Sequence, residues 1–394
     1  MTSNHTILII NPWQGIIGPN IGFGQLVEES LRRKIEVHVL CRERDDMAAR
    51  AESMGARLHI DKALSLTPRD LNAKSIPLHL QIAANQIRCT YRVATQVRPD
   101  AICINAENIL FAPLASRIAG VPCAVYVRGA RFIELKHLGR IYFSLQRAAH
   151  PTYLAVSQHV ADGLAQLGVP VEKIEVVPNG VNLNRFHPIP ADHTLKNELG
   201  VPSNHRLIGT ICHLTPRKGV HHLIEIMALL KNRIENLTCL VVGGVHDASY
   251  ATTLQQRIDQ CGLHDRMKLL GQRTDTSRIL SCLELLVHPS ETESFGRTIA
   301  EAMAMAKPVV GFDVGAVPEL IQHGECGFVA KPFDYPQAAQ FIERILKDAT
   351  MLESMGQHAL RRATEHYNLS TNIARAVDIL ERLARSGTQK SHLP

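Results

Sequence analysis

Apolar residues in the first half of the chain come in short runs separated by amphipathic stretches. HTILII (5–10), EVHVLC (36–41), DAICIN (100–105), AVYVRG (124–129), TYLAVS (152–157) and IEVVPNGV (174–181) read as buried strands, rich in β-branched and aliphatic side chains. Apolar positions at helical spacing predict helices over Gln25–Arg33 and Gln81–Val97, the second stopped by Pro99. Alternating strand and helix is the rhythm of a parallel sheet with crossover helices. HPIPAD (187–192), polar and proline-bearing, interrupts it and predicts an extended connection. After a short helix ending at Gly200 the alternation restarts with RLIGTIC, a helix Val220–Leu230, TCLVVGG, a helix Thr252–Cys261, MKLLGQ, ELLVHPS, a helix Arg297–Met305 and KPVVGF. Helical spacing resumes over Gln337–Lys347, Met351–His366 and Thr371–Arg385, and SGTQKSHLP reads as a frayed tail. The expected organisation is an α/β Rossmann-like domain over 1–187, a hinge over 188–193, a second doubly wound domain over 194–366, and a C-terminal helix and tail over 367–394. Two such domains on a short hinge imply a ligand cleft between them, at the carboxyl ends of both sheets.

Composition narrows the class. With 394 residues, 45% hydrophobic and 20% charged, the chain is long enough for two cores and unlike disordered or disulfide-stapled proteins. Nine cysteines without a C-x-x-C pair read as reduced, small core residues. No apolar run approaches the ~18 to 20 residues that cross a bilayer. MTSNHTILIINPW also lacks the basic start and cleavage site of a secretory signal, so the expected location is the cytoplasm. The net charge of +6 is unevenly spread: Leu80–His150 holds nine basic residues against three acidic ones. Arg88 and Arg92 are one helical turn apart, as are Lys136 and Arg140, so these residues form either a solvated face or a surface for an anionic membrane or acceptor. Aromatics at 5% without a stacking motif argue against nucleic acid.

HPSETESFGRTIAEAMAMAKPVV (288–310) carries the strongest chemical signal. A strand ends at His288, a polar turn follows, and a helix starts near Gly296, offering free N–H groups and a positive dipole end to an anion. Glu301 lies on the order of 7 Å inside that helix, about the distance from a diphosphate to its ribose, and its carboxylate suits two hydroxyls. Glu293, one short turn before the helix, is in reach of a sugar on the far side of the same diphosphate. In GTICHLTPRKGVHHLIEIM, a strand leads to Arg217, Lys218 and Gly219 just before a helix. Cations there oppose the helix dipole by ~0.3 to 1 kcal/mol each, which an anionic ligand would offset; the alternative is two solvated basic residues on a turn. His213 shares that loop, and His221-His222 reads as the opening of the helix.

With these motifs in place, the chain resembles the retaining glycosyltransferases of family 4, most strongly over Val176–Val329. The resemblance implies the GT-B fold of two Rossmann-like domains, the first on the acceptor side and the second binding a nucleoside diphosphate sugar. It implies the donor hexose at Glu293, the ribose at Glu301, and the diphosphate at Lys218 through CHLTPRKG, which matches the family's G-R-L-x-x-x-K-G loop. Phe295, Gly296 and Arg297 then flank the donor, with His213 nearby and the base near Gly271 to Arg273. His213 stands where the family usually has arginine, leaving Arg217 or a protonated His213 to supply that cation. VPNGVNLNRF and DVGAVPE resemble further family elements, the second with Ala316 for a glycine, and Arg128-Gly129 replaces a frequent histidine-glycine. The glycine-rich NPWQGIIGPNIGFGQL, with Gly15, Gly18, Gly22 and Gly24, implies a loop at the donor phosphates and acceptor, contacting them through Gly22 and Gly24 with Arg128 beside it.

The implied activity is transfer of a hexosyl unit to an acceptor hydroxyl, in lipopolysaccharide or surface polysaccharide synthesis. The expected partners are the donor and a glycan or lipid-linked acceptor, with a peripheral position at the inner membrane face. No cofactor is expected: the chain lacks Asp-x-Asp and Cys/His ligand spacing, and the G-x-G-x-x-G frame of NAD enzymes is missing after the first strand. No serine sits in a nucleophile elbow, which argues against a hydrolase triad. A non-catalytic nucleotide-sugar binder and a sugar-nucleotide epimerase on the same fold are the alternatives.

Overall fold

The computed structural model describes residues 5–12, 18–67, 76–129, 136–192, 194–245 and 247–390. Its contacts divide the chain into two units, Met1–Asn179 with Ser370–Pro394, and Gly180–Leu369.

Among the described residues the first unit carries seven strands, β1 (Thr6–Asn11), β2 (Glu36–Cys41), β3 (Arg57–Ile60), β4 (Ala101–Ile104), β5 (Cys123–Val127), β6 (Thr152–Ala155) and β7 (Ile174–Val176). They pair in parallel in the order β3-β2-β1-β4-β5-β6-β7, so the direction of winding reverses between β1 and β4. Ile7–Ile10 and Ala101–Ile104 are wholly buried, as the central strands of a parallel sheet covered on both faces must be. The sheet-edge strand β3, with an exposed arginine and a half-buried middle, has no apolar run to announce it. Helices start earlier than apolar spacing predicts, at Gly18 and Ile76, because Pro19 and Pro77 fit a first turn that needs no N–H donor.

In the second unit β8 (Arg206–Ile211), β9 (Leu237–Val242), β10 (Met267–Leu269), β11 (Leu285–His288), β12 (Val309–Phe312) and β13 (Gly327–Ala330) pair in parallel as β10-β9-β8-β11-β12-β13. This is the 3-2-1-4-5-6 order of dinucleotide-binding sheets, with its switch point between β8 and β11. The helix Val220–Leu230 buries Leu223, Ile224 and Met227 in the core, each contributing ~1.5 to 3 kcal/mol of burial.

Three boundaries differ from expectation. The units meet in the chain at Asn179–Gly180, whereas the sequence places the boundary after His187. The supposed hinge, 188–193, falls inside the second unit, where the Asp192 carboxylate accepts from Arg278 Nε (2.7 Å) and caps Thr194. The C-terminal helix runs from Leu369 to Lys390, so Ser386–Lys390 are helical rather than frayed. From Ser370 onward it belongs to the first unit, where Arg33 pairs with Asp378 and Glu381, and Arg382 with Glu175.

All nine cysteines are free thiols, and burial pushes those of Cys103 and Cys123 up to about 12, so they act as core residues.

Candidate functional site

The switch point of the second sheet sets two loops side by side. One leaves β8 through Cys212–Gly219; the other leaves β11 through Pro289–Gly296. They are tied by Glu291 N–H donating to the Arg217 carbonyl (2.9 Å) and Arg217 Nη1 donating to the Thr292 carbonyl (3.3 Å). Lys218 Nζ consequently stands 2.5 Å from Glu293 Oε2, with the two side chains only 17% and 12% exposed. His288, wholly inside, brings Nε2 to 3.3 Å of the same oxygen without forming a hydrogen bond. Burial alone would raise the Glu293 carboxyl, but the Lys218 ammonium and the His288 ring outweigh it and hold it far below the ordinary carboxylate range. Burial lowers His288, against the pull of the Glu293 carboxylate.

Two glycines fix this geometry. At Gly219 (φ 68) a Cβ would lie 1.9 Å from the Pro289 carbonyl oxygen. At Gly315 (φ 54) it would lie 2.1 Å from the carbonyl oxygen of Glu293, which also accepts from Ala316 N–H at 2.9 Å. DVGAVPE is thus the backbone support of Glu293, and alanine in place of the family's second glycine keeps the bond.

The helix Arg297–Ala304 starts at Gly296 (φ 93), and no side chain caps it, leaving a positive dipole end beside the ion pair. Glu301 projects from its second turn, 14% exposed, with Arg297 Nη2 at 3.6 Å. Burial raises the Glu301 carboxyl, against the pull of Arg297 and Arg185. Two carboxyl groups eight residues apart are therefore driven in opposite directions, one fixed as an anion and one made easy to protonate. Glu293, Lys218, Arg217, Gly296, Arg297 and Glu301 gather around these two loops. The Phe295 side chain points into the core: it is 3% exposed and packs edge-on against Tyr367 at 5.5 Å. The Arg273 guanidinium is engaged by Asp275 (2.7 Å) and Glu198 (2.9 Å), and the Gly271 carbonyl by Gly243 N–H (2.8 Å). His213 is exposed on the Cys212–Gly219 loop.

In the first unit, the equivalent switch point gathers amides and one cation. Asn105 Nδ2 donates to Asn11 Oδ1 (2.8 Å), while Asn105 Oδ1 accepts from Arg128 Nε (3.0 Å) and Nη2 (2.8 Å). Arg128 Nη1 donates to Asn179 Oδ1 (2.9 Å), and its guanidinium lies 4.0 Å from the Tyr126 ring centre. A Cβ at Gly22 would stand 3.3 Å from that guanidinium. Gly22 and Gly24 lie in the helix Gly18–Arg32 rather than a loop, and a Cβ at Gly24 would stand 3.2 Å from Met47 Cε; Gly15 lies outside the described residues. His288, Arg185, Asn11 and Asn105 are candidate-site residues that sequence reasoning missed; a polar residue at or just after the carboxyl end of β1, β4 and β11 is the signal that marks three of them.

Two family models match consecutive stretches: "Glycosyltransferase Family 4" over 18–185 and "Glycosyl transferases group 1" over 192–362. The chain belongs to the group 1 glycosyltransferases. Among relatives of this group 1 glycosyltransferase, N-acetyl-alpha-D-glucosaminyl L-malate synthase of Bacillus anthracis is 28% identical over 214 residues, 54% of this chain and 55% of that protein. The lipopolysaccharide core biosynthesis mannosyltransferase LpcC of Rhizobium leguminosarum bv. viciae is 32% identical over 196 residues, 49% of this chain and 55% of the relative. The matched stretch thus spans about half the length of each of these two curated relatives. Anabaena HepE in complex with UDP superposes with a TM-score of 0.81 at 23% identity, covering 96% of this chain and 100% of that one. The fold is GT-B.

Proposed function

We propose that this group 1 glycosyltransferase is a retaining enzyme that moves a hexosyl unit from a nucleoside diphosphate sugar to an acceptor hydroxyl, with no metal at the diphosphate. The observation that carries the reading is the buried Lys218–Glu293 pair beside the uncapped helix start at Gly296, with Glu301 one and a half turns further on. As the bond from the sugar's anomeric carbon to the diphosphate breaks, negative charge grows on the leaving oxygen. Lys218 and the helix N-terminus neutralise it, work that a metal ion does elsewhere. Glu293, kept anionic, accepts from hexose hydroxyls, and Glu301 takes the ribose hydroxyls. The new bond forms on the face the phosphate leaves, and the acceptor proton passes to the phosphate oxygen. Arg217 or a protonated His213 supplies a second cation at the diphosphate.

An acceptor in lipopolysaccharide or surface polysaccharide synthesis is supported by the mannosyltransferase relative. A membrane-facing first unit is supported by the helix Lys136–Arg147, which exposes Ile141 (56%) and Leu145 (48%) one turn apart next to Arg140. No helix among the described residues is long and apolar enough to cross a membrane.

A thermal-shift panel of nucleoside diphosphates and their sugars tests the donor, since a ligand of the folded state raises stability by RT ln(1 + [L]/Kd). Stabilisation by one base and one sugar, followed by acceptor-dependent release of the diphosphate, is the expected result. Affinity without release would identify a non-catalytic binder, and sugar conversion without acceptor an epimerase. Flotation with vesicles that shows no preference for anionic lipid, or none lost on Ile141→Glu, removes the membrane part.

A further inference from the structure

The helix that follows the Lys218 loop opens with two histidines whose side chains converge on the other loop. His221 Nε2 lies 3.5 Å from Glu291 Oε1, and His222 Nε2 lies 3.4 Å from the same oxygen. These separations are long for hydrogen bonds, which centre near 2.9 Å. They match two ligands on one tetrahedral ion, which at metal–ligand distances of about 2.05 Å sit roughly 3.3 Å apart. All three ligand atoms fall within 4.8 Å of one another.

The surroundings point the same way. Each imidazole has its far nitrogen held by a phenol: His221 Nδ1 is 2.9 Å from Tyr250 Oη, and His222 Nδ1 is 2.9 Å from Tyr335 Oη. An imidazole that gives its Nδ1 proton to an oxygen presents the lone pair of Nε2, the arrangement that orients histidine ligands. His222 is only 8% exposed, fixed by Phe333 (4.7 Å) and Phe312 (5.9 Å), yet its Nε2 has no hydrogen-bond partner. A buried ring nitrogen left without a partner is costly unless something else fills its direction. Glu291 is 40% exposed, which leaves an entry from solvent.

We propose that His221, His222 and Glu291 form a binding site for a divalent transition-metal ion of the zinc class, which clamps the Lys218 loop to the Glu293 loop. Two imidazoles and one carboxylate select zinc-like ions over magnesium or calcium, which prefer all-oxygen shells. The ion is no part of the transfer chemistry. It ties Glu291, two residues before Glu293, to the residues just after Lys218, and so stiffens the loops that hold that pair.

The test is titration of the purified full chain with Zn2+ against a chromophoric chelator, with Co2+ absorption as a probe of the ligand set. Expected are one tight site per chain, a raised thermal midpoint with zinc, and a visible Co2+ spectrum lacking the strong near-ultraviolet band of thiolate ligation. Glu291→Gln and His221→Ala, both at partly exposed positions, should each weaken zinc roughly tenfold or more, and Tyr250→Phe should weaken it less. Wild-type binding no tighter than in the Glu291→Gln variant, or a Co2+ spectrum showing thiolates, overturns the proposal. Because the readout is metal affinity, failure here is separate from failure of the proposed transfer.

Discussion

The two sheets wind in the same order and present the same kind of switch point, yet the chemistry at their carboxyl ends is opposite in kind. In the second unit the ends of β8 and β11 deliver a buried ammonium, an anion, a buried histidine and a carboxyl raised by burial. In the first, asparagines at or after the ends of β1, β4 and β7 lock the Arg128 guanidinium that follows β5. The second end is built to answer a change of charge, since its two carboxyls are pushed in opposite directions, Glu293 down and Glu301 up. The first is built to hold a shape. A shared topology therefore fixes where a ligand meets each sheet, and the residues on the segments that leave the strands fix what that end does.

The sharpest way to break this contrast is to remove the ammonium. Lys218→Met should lower the turnover of diphosphate release by roughly 10² to 10³-fold, the usual loss of one preorganised charge at a developing oxyanion. It should also destabilise the fold by about 3 kcal/mol, because Glu293 is left as an unpaired buried charge. Adding Glu293→Gln should restore much of the thermal stability and none of the turnover. Recovered turnover in the double variant would reduce the pair to a structural role.

A smaller effect is expected from the support beneath Glu293. Gly315→Ala places a Cβ into the Glu293 carbonyl and forces a left-handed backbone on a residue that resists it, a loss of about 1 to 3 kcal/mol. Denaturant unfolding measures it, and an unchanged midpoint would mean that the loop has another conformation within easy reach. Arg128→Met belongs beside it: loss of the bonds to Asn105 and Asn179 should lower stability by about 1 to 3 kcal/mol while leaving nucleoside diphosphate affinity within a factor of about two. A large drop in that affinity would give the first unit a direct part in donor binding.

The contrast was only half legible beforehand. Buried runs such as ILII and LTCLVV marked the sheets because parallel strands covered on both faces must be apolar throughout. Glu293, Glu301 and Lys218 stand out in the sequence because a helix start, a strand end and a glycine constrain where charge can sit. What stayed hidden was tertiary. Phe295 adjoins the motif but turns inward onto Tyr367, Gly24 lies in a helix against Met47, and Arg273 is taken by Glu198, seventy-five positions away. His221-His222 looked like an ordinary helix opening because Glu291, Tyr250 and Tyr335 come from distant segments. Spacing along a chain reports neighbours on one element and is silent about those that folding brings from elsewhere.

The smallest effect separates two carboxyls of the second unit by sign. Burial raises Glu301, so the folded state holds its proton more tightly than the unfolded chain. Its stabilising contribution is present below the ordinary carboxylate range and is lost as pH rises through the raised value. Asp275 runs the other way: the Arg273 hydrogen bond, opposed by burial, lowers it to about 2, so its contribution is present above the ordinary value of 3.8 and is lost as pH falls toward 2. Glu301→Gln should therefore leave more stability on the neutral side relative to the acid side, and Asp275→Asn should flatten the acid limb. Unfolding midpoints measured across pH distinguish the two. Equal slopes in wild type and Glu301→Gln would show that Glu301 is as well solvated as a surface carboxylate, and a ribose-binding carboxyl poised by burial would lose its physical basis.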